Sequence, residues 1–553
     1  MKKPVIAIGL ESADPALVNR WMQTGHLKNL RRLRQRGAYG ELTHIEHHAN
    51  ETEWTSFLTG CLPWKTGFWR PMQFDPSNYD YGPLIRNYGF QDYPPFYAVG
   101  PDYRVAVFDM PQTALSSEVN GIQVLAWGAH DPQTPRVSDP PELFEEIEVT
   151  YGKHPAFKKG FGDNWWDDKY LKFLTKSLKV GISRRAAICQ DLLTRENWDL
   201  FLTVFGEPHS AGHNLWHLSQ ADNAVYQFPE SGDPLQEVFQ AIDQTIGEML
   251  EVIPKDSYVL IFSGVGMGNN FNELPSRLFL PELLYRYSFP GQVAITDGDA
   301  SVPVPPPLTN PRMRNWGTEV WRYKSDAYTG LRKRLPFKAH TLLSKLEGKL
   351  PGLSNHGQVV SPYDLLRQGE NLWAAPALWY AHLWPQMVAF ALPSFSDGFI
   401  RINLANRETQ GIVALSDYER VCAEITAELY ALRDARTGRP IVEKVVPTRT
   451  ATTAWDPKLP DADLTVIWAE QPTDVIDSPT HGRIGPVPYQ RSGGHRPGGF
   501  LFASGPGILP DSTLSTGQMI DLAPTILSLM GAPLPDYLQG KPLLTPELLV
   551  RAA

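Results

Sequence analysis

The chain has 553 residues, 42% hydrophobic and 20% charged, enough for a large buried core and for more than one compact unit. A formal net charge of −9 argues against a nucleic-acid surface as the main business, and no apolar stretch approaches a membrane span. Three cysteines, Cys61, Cys189 and Cys422, exclude a disulfide framework and fit a reducing cytoplasm.

In chain order, short apolar runs alternate with helical segments. A strand over Pro4–Leu10, too short for a signal sequence, leads to a helix over Asp14–Arg36. A strand at Tyr103–Asp109 and a helix at Tyr170–Arg195 follow, then a strand at Asp199–Gly206. The helix Pro234–Ile253 and the strand Ser257–Ser263 complete the first part. From about Tyr287 to Trp373 the texture changes: Val302-Pro-Val-Pro-Pro-Pro307 opens a segment with basic, aromatic stretches at Arg312–Trp316 and Arg332–Arg334. It reads as an insertion or cap over 286–374, between core parts 1–285 and 375–553. Its cations have the position to screen an anionic substrate, although a solvated face is the commoner reason for such runs. Beyond it lie the helix Ser416–Ala435, strands at Leu464–Ala469 and Gly499–Ser504, and the helix Met519–Met530. Strands of this kind separated by helices predict an α/β fold: a mostly parallel central sheet with helices on both faces. The 16 tryptophans suit either an aromatic cleft or core packing.

The chemistry concentrates just past two strands. Glu207-Pro-His209-Ser-Ala-Gly-His213 follows the third strand, and residues four apart on a helical turn share one face. His495 stands in Gly493-Gly-His-Arg-Pro-Gly-Gly499, immediately before the last strand. Three imidazoles leave a coordination position open, as a catalytic metal requires. Zinc fits the ligand type best, with Fe(II), Mn(II) or Co(II) as alternatives.

These landmarks, with Ile8-Gly-Leu-Glu11-Ser-Ala-Asp14, Trp54-Thr-Ser-Phe-Leu-Thr-Gly60 and Phe262-Ser-Gly-Val-Gly-Met-Gly268, make the chain resemble the alkaline phosphatase superfamily. Within it, the resemblance is to the type I phosphodiesterase/nucleotide pyrophosphatase branch. Members usually hold two metal ions and use a threonine or serine nucleophile. By that resemblance, the first-strand aspartate ligand is Glu11 here, and the nucleophile position, ten residues before Gly60, is Asn50. An aspartate–histidine ligand pair after Ser263 is replaced by Gly264 and Val265. His213 and His495 match the family's histidines, while His209 stands where an aspartate is usual. The resemblance therefore implies one metal ion on three histidines, and no covalent phosphoryl-enzyme, because asparagine cannot form an alkoxide.

Glu11 and Glu207 are the expected general bases among an excess of carboxylates that includes Glu51 and Glu53, and Asn50 is expected as an amide donor. Thr52 is a fallback nucleophile only if the register slips by two residues. Trp54, Lys65 and Arg496 are expected substrate contacts, His217 a packing residue, and His44, His47 and His48 possible cleft residues. The resulting expectation is a single-metal hydrolase acting on a phosphate-type or related ester through water activated on the metal. A lyase, isomerase or iron-dependent redox enzyme is the alternative, and a binding protein without turnover is the third reading. The expected partner is a small molecule, with neither nucleic acid nor membrane.

Overall fold

The strands Val5–Leu10, Leu200–Phe205 and Tyr258–Ser263 are buried along their whole length, as parallel strands covered on both faces must be. In the computed structural model of the protein they form the middle of one large sheet. The structure describes residues 3–45, 50–81, 86–128, 134–160, 164–296, 298–311, 313, 315–325, 335, 339, 342–343, 345–346, 349–350, 358–370 and 372–545, without the side chain of Asn50. The basic stretch Arg332–Arg334, Arg312, Arg314, His47 and His48 lie outside the described residues.

The central sheet runs in the order Ser512–Thr513, Ala38–Thr43, Gly499–Ser504, Tyr258–Ser263, Val5–Leu10, Leu200–Phe205, Gly100–Phe108, Val119–Leu125, Val137–Asp139. Its five middle strands, from Tyr258–Ser263 to Val119–Leu125, are parallel. Strand alternation divides the core: Ile6, Ile8 and Leu10 pack with one set of helices, Val5 and Ala7 with the other. The first set includes Asp168–Arg195 and Pro234–Val252, each N-capped by an aspartate, Asp167 or Asp233. The second includes Met519–Met530, which ends at Gly531 in the left-handed conformation. The fold class is the one the sequence predicts.

Four details differ. The single helix expected over Asp14–Arg36 is two, Pro15–Gln23 and Lys28–Arg36, broken around Gly25 at φ +82°. The helix expected over Ser416–Ala435 is Tyr418–Ala431. The strand Gly499–Ser504 is antiparallel to both neighbours. Leu464–Trp468 belongs not to the central sheet but to a second, four-stranded antiparallel sheet with Ala389–Leu392, Gly398–Ile402 and Val442–Pro447. A short apolar run specifies burial but not the sheet that buries it.

The second sheet has its own core, which runs from Phe271 to Tyr489 and takes in Met72–Tyr81. The unit beside the central sheet is therefore larger than the 286–374 segment. Trp316, Trp379 and Trp384 are fully buried in it, so tryptophan serves packing here more than an open cleft. Among the described residues no helix is long and apolar enough to cross a membrane.

Candidate active site

Strand direction brings the site together. Glu11 follows the carboxyl end of Val5–Leu10, His209 lies two residues beyond Glu207 at the head of the helix after Leu200–Phe205, and Gly264 follows Ser263. Because Gly499–Ser504 runs the other way, with Phe500 opposite Ser263, the residues before it arrive at the same edge. His495 reaches that edge on the short strand Gly493–Arg496, which pairs with Gly266–Asn269. Ligand sites in open α/β sheets lie at this carboxyl edge.

The helix Glu207–Ser219 presents His209 and His213 four residues apart, their rings 4.5 Å between centroids and nearly perpendicular. His213 Nε2 lies 3.2 Å from His209 Nε2 and 3.2 Å from His495 Nε2. Among the described residues these three histidines are the one group of three or more metal-type ligands whose atoms lie within 4.8 Å of one another. Two nitrogens bound tetrahedrally to one ion at about 2.0–2.1 Å stand roughly 3.3 Å apart, so the donor set fits a divalent ion of the zinc type.

The far sides of two of the rings support that use. His213 Nδ1 is 2.7 Å from the Gly493 carbonyl oxygen, to which it donates, leaving the Nε2 lone pair for a ligand. His495 Nδ1 is 3.2 Å from Ser12 Oγ, and that hydroxyl donates to Glu11 Oε1 at 3.4 Å. Burial, reinforced by the Arg491 charge, lowers the His495 imidazole to about 4, so it is neutral at pH 7 as a ligand must be. The approach of the 493–496 strand to the helix requires Gly493, where a Cβ would meet the Gly212 carbonyl oxygen at 2.2 Å.

A cleft of about 280 Å³ opens at this edge, walled on one side by the central sheet's loops and on the other by the antiparallel unit. Glu11, His44, Trp54, His209, His495 and Arg496 line it, as the sequence suggests. Glu51 and Glu53 line it too, and both carboxyls are raised by burial, that of Glu53 to about 8. Asn50 opens the short turn Asn50–Thr52, and its side chain is outside the described residues. Thr52 and Thr55 are buried, and neither lines the cleft.

Two expected site residues stand elsewhere. Glu207 is fully buried, with Oε1 3.1 Å from Arg185 Nε and 3.2 Å from His154 Nε2, while Arg185 also binds Asp109 at 2.6 Å. Burial alone would raise its carboxyl, but the Arg185 guanidinium and His154 override it and hold it at about 2. A charge so locked anchors the start of the histidine helix and is no general base for the cleft. Lys65 Nζ donates to the Tyr537 carbonyl oxygen at 2.7 Å and sits 5.5 Å from the Tyr93 ring, so it is held by structure and not by substrate. His217 packs edge-on against Trp165 at 5.0 Å, lowered to about 4 by burial.

Two residues that matter here were not singled out in the sequence. Ser12 carries no ligand signal of its own, yet its φ of +55° at the strand end brings its hydroxyl between Glu11 and His495. Met519 fills the position beside Gly264: a Cβ there would lie 2.7 Å from Met519 Cγ and Sδ. Space next to Gly264 is thus taken by a thioether, and Val265 beside it has no side-chain donor.

Comparison with known proteins then decides the family: the model described as type I phosphodiesterase/nucleotide pyrophosphatase matches residues 5–334. The chain belongs to that family. It is accordingly an enzyme of a family that hydrolyses phosphorus esters. No curated protein matches the chain. Among solved structures, phosphonoacetate hydrolase from Sinorhizobium meliloti 1021, in complex with phosphonoformate, is 12% identical, with 96% of each chain covered and a TM-score of 0.45.

Proposed function

We propose that this enzyme hydrolyses a phosphate-type or related ester with one divalent ion on His209, His213 and His495, and with water rather than a side chain as the nucleophile. The observation that carries the reading is the convergence of three Nε2 atoms, the outer two each 3.2 Å from His213, at the wall of the cleft. An ion held there supplies Lewis acidity to a phosphoryl oxygen and to water near neutral pH. Zinc is the metal the all-nitrogen set suits best.

The chain's own groups divide the remaining work. Glu11, only 5% exposed and hydrogen-bonded by Ser12, takes the proton from the attacking water. Asn50 donates its amide to a substrate oxygen, in place of the nucleophile usual for the family. Trp54 and Arg496, both on the cleft wall, hold the rest of a small-molecule substrate. All three cysteines are free and buried, which supports a reducing cytoplasm as the compartment.

Elemental analysis of the purified protein, paired with turnover of bis(p-nitrophenyl) phosphate, tests the reading. The expected result is about one zinc per chain, with turnover and metal both lost in His209→Ala by at least about a hundredfold. Two tightly held ions per chain overturn the single-metal reading. Iron with oxygen-dependent chemistry and no ester turnover shifts the assignment to the redox or lyase alternative.

A further inference from the structure

The charge of the cleft does not suit a substrate that is anionic throughout. Six acidic side chains line it, Glu11, Glu51, Glu53, Asp397, Glu443 and Glu470, against two guanidiniums, Arg491 and Arg496, and burial favours the protonated form of Glu51 and Glu53 until a cation is bound. Both guanidiniums already face acid: Arg491 is ion-paired with Glu273, and Arg496 lies 3.7 Å from Glu470. Glu51 has Arg70 and Arg277 behind it, which offset its charge.

Glu53 differs from the other acids. It is 5% exposed, its one hydrogen bond among the described residues is a long one from the Ile45 N–H at 3.4 Å, and Oε2 is buried with no partner. A buried carboxyl oxygen left unmatched on a cleft wall is costly unless a ligand completes it. Trp54, Phe271, Phe395 and Trp468 line the same cleft. A small metal ion would need several carboxylate oxygens converging on one point, yet among the described residues only the three histidines converge in that way. Carboxylates spread among aromatic faces suit a larger, weakly hydrated cation.

We propose that the cleft holds, beyond the histidine site, a subsite for an alkylammonium group. The ester it takes then joins a phosphoryl end at the histidines to a cationic end between Glu53, Glu443 and the aromatic walls. This rests on the phosphorus-ester reading above and names its substrate class.

Choline and 3,3-dimethyl-1-butanol, which share a shape and differ by one charge, are the probes. Calorimetry above pH 8, where Glu53 is ionised, on the full chain loaded with one equivalent of zinc should show choline binding at least about tenfold more tightly than the neutral alcohol. Glu53→Gln should remove most of that preference, and Glu443→Gln part of it, with zinc content and melting temperature checked in both. Equal affinity for the two probes, or a preference untouched in both folded variants, overturns the subsite. Displacement of choline by a second stoichiometric divalent ion overturns it as well, in favour of a metal site. Binding is read without turnover, so the two readings fail separately. A chain that prefers choline but hydrolyses no phosphorus ester breaks the proposed function alone. One that hydrolyses esters but binds both probes alike breaks only this inference.

Discussion

The histidine site and the neighbourhood of Gly264 both border the cleft, yet they are built in opposite ways. Around the histidines two rings are braced, His213 by the Gly493 carbonyl and His495 by Ser12, and the start of the helix that carries His209 is held by the buried Asp109–Arg185–Glu207–His154 set. At Gly264 and Val265 no side chain can ligate, and the Met519 thioether is packed into the space beside Gly264. The difference teaches that the convergence of the histidines depends on supports behind them, while the position beside Gly264 is packed as ordinary core.

The comparison breaks most sharply if the support is removed. Arg185→Met leaves Glu207 and Asp109 without their shared cation, and breaking a buried pair in this way costs about 3–5 kcal/mol. A large fall in melting temperature, with weakened zinc retention, is the expected outcome; an unchanged melt would show that the ion pairs do not brace the helix. Ser12→Ala should act more locally. Loss of a hydrogen bond behind a ligand lowers metal affinity by about 10–100-fold, to be read by competition with a chelator. Unaltered affinity would remove Ser12 from the site.

The vacated side offers the converse test. Gly264→Asp with Val265→His should not recover a second ion, because Met519 occupies the space, and overpacking there costs about 1–3 kcal/mol. Adding Met519→Ala is the change that makes room. A second equivalent of metal in the first variant would show that packing is not the barrier. The smallest effect is on pH dependence. Burial raises the Glu53 carboxyl from 4.5 to about 8. Between those values the folded chain keeps a proton that the unfolded chain has released, so stability falls as pH rises through the window. Glu53→Gln should melt a few degrees higher than the parent at pH 8 relative to pH 5, and parallel melting curves at both pH values would sink the assignment.

Much of this architecture is written locally in the sequence. Buried-type runs such as Val5–Leu10 and Leu200–Phe205 mark parallel strands, and aspartate caps mark the two long helices. The histidine spacing marks the candidate metal centre because both His209 and His213 sit on one helix. Where two distant segments decide the outcome, local pattern has nothing to read. Leu464–Trp468 looks like any buried strand, and only its partners, Gly398–Ile402 and Val442–Pro447, put it in the second sheet. Glu207, two residues from a ligand, is turned into the core by Arg185, 22 positions upstream on another helix. Lys65 is claimed by the carbonyl of Tyr537, and the space beside Gly264 by Met519.

His495 and His213 are 282 positions apart, and the strand after His495 must slide between Ala38–Thr43 and Tyr258–Ser263 before the three nitrogens meet. On the ribosome, the N-terminal halves of the sheet and the helix with two histidines emerge long before that strand does. A growing chain can therefore hold no more than a two-histidine fragment of the site, and on the proposed metal reading the three-histidine set is complete only when the central sheet closes. If the proposed ion binds there, its retention would report a chain whose sheet has closed.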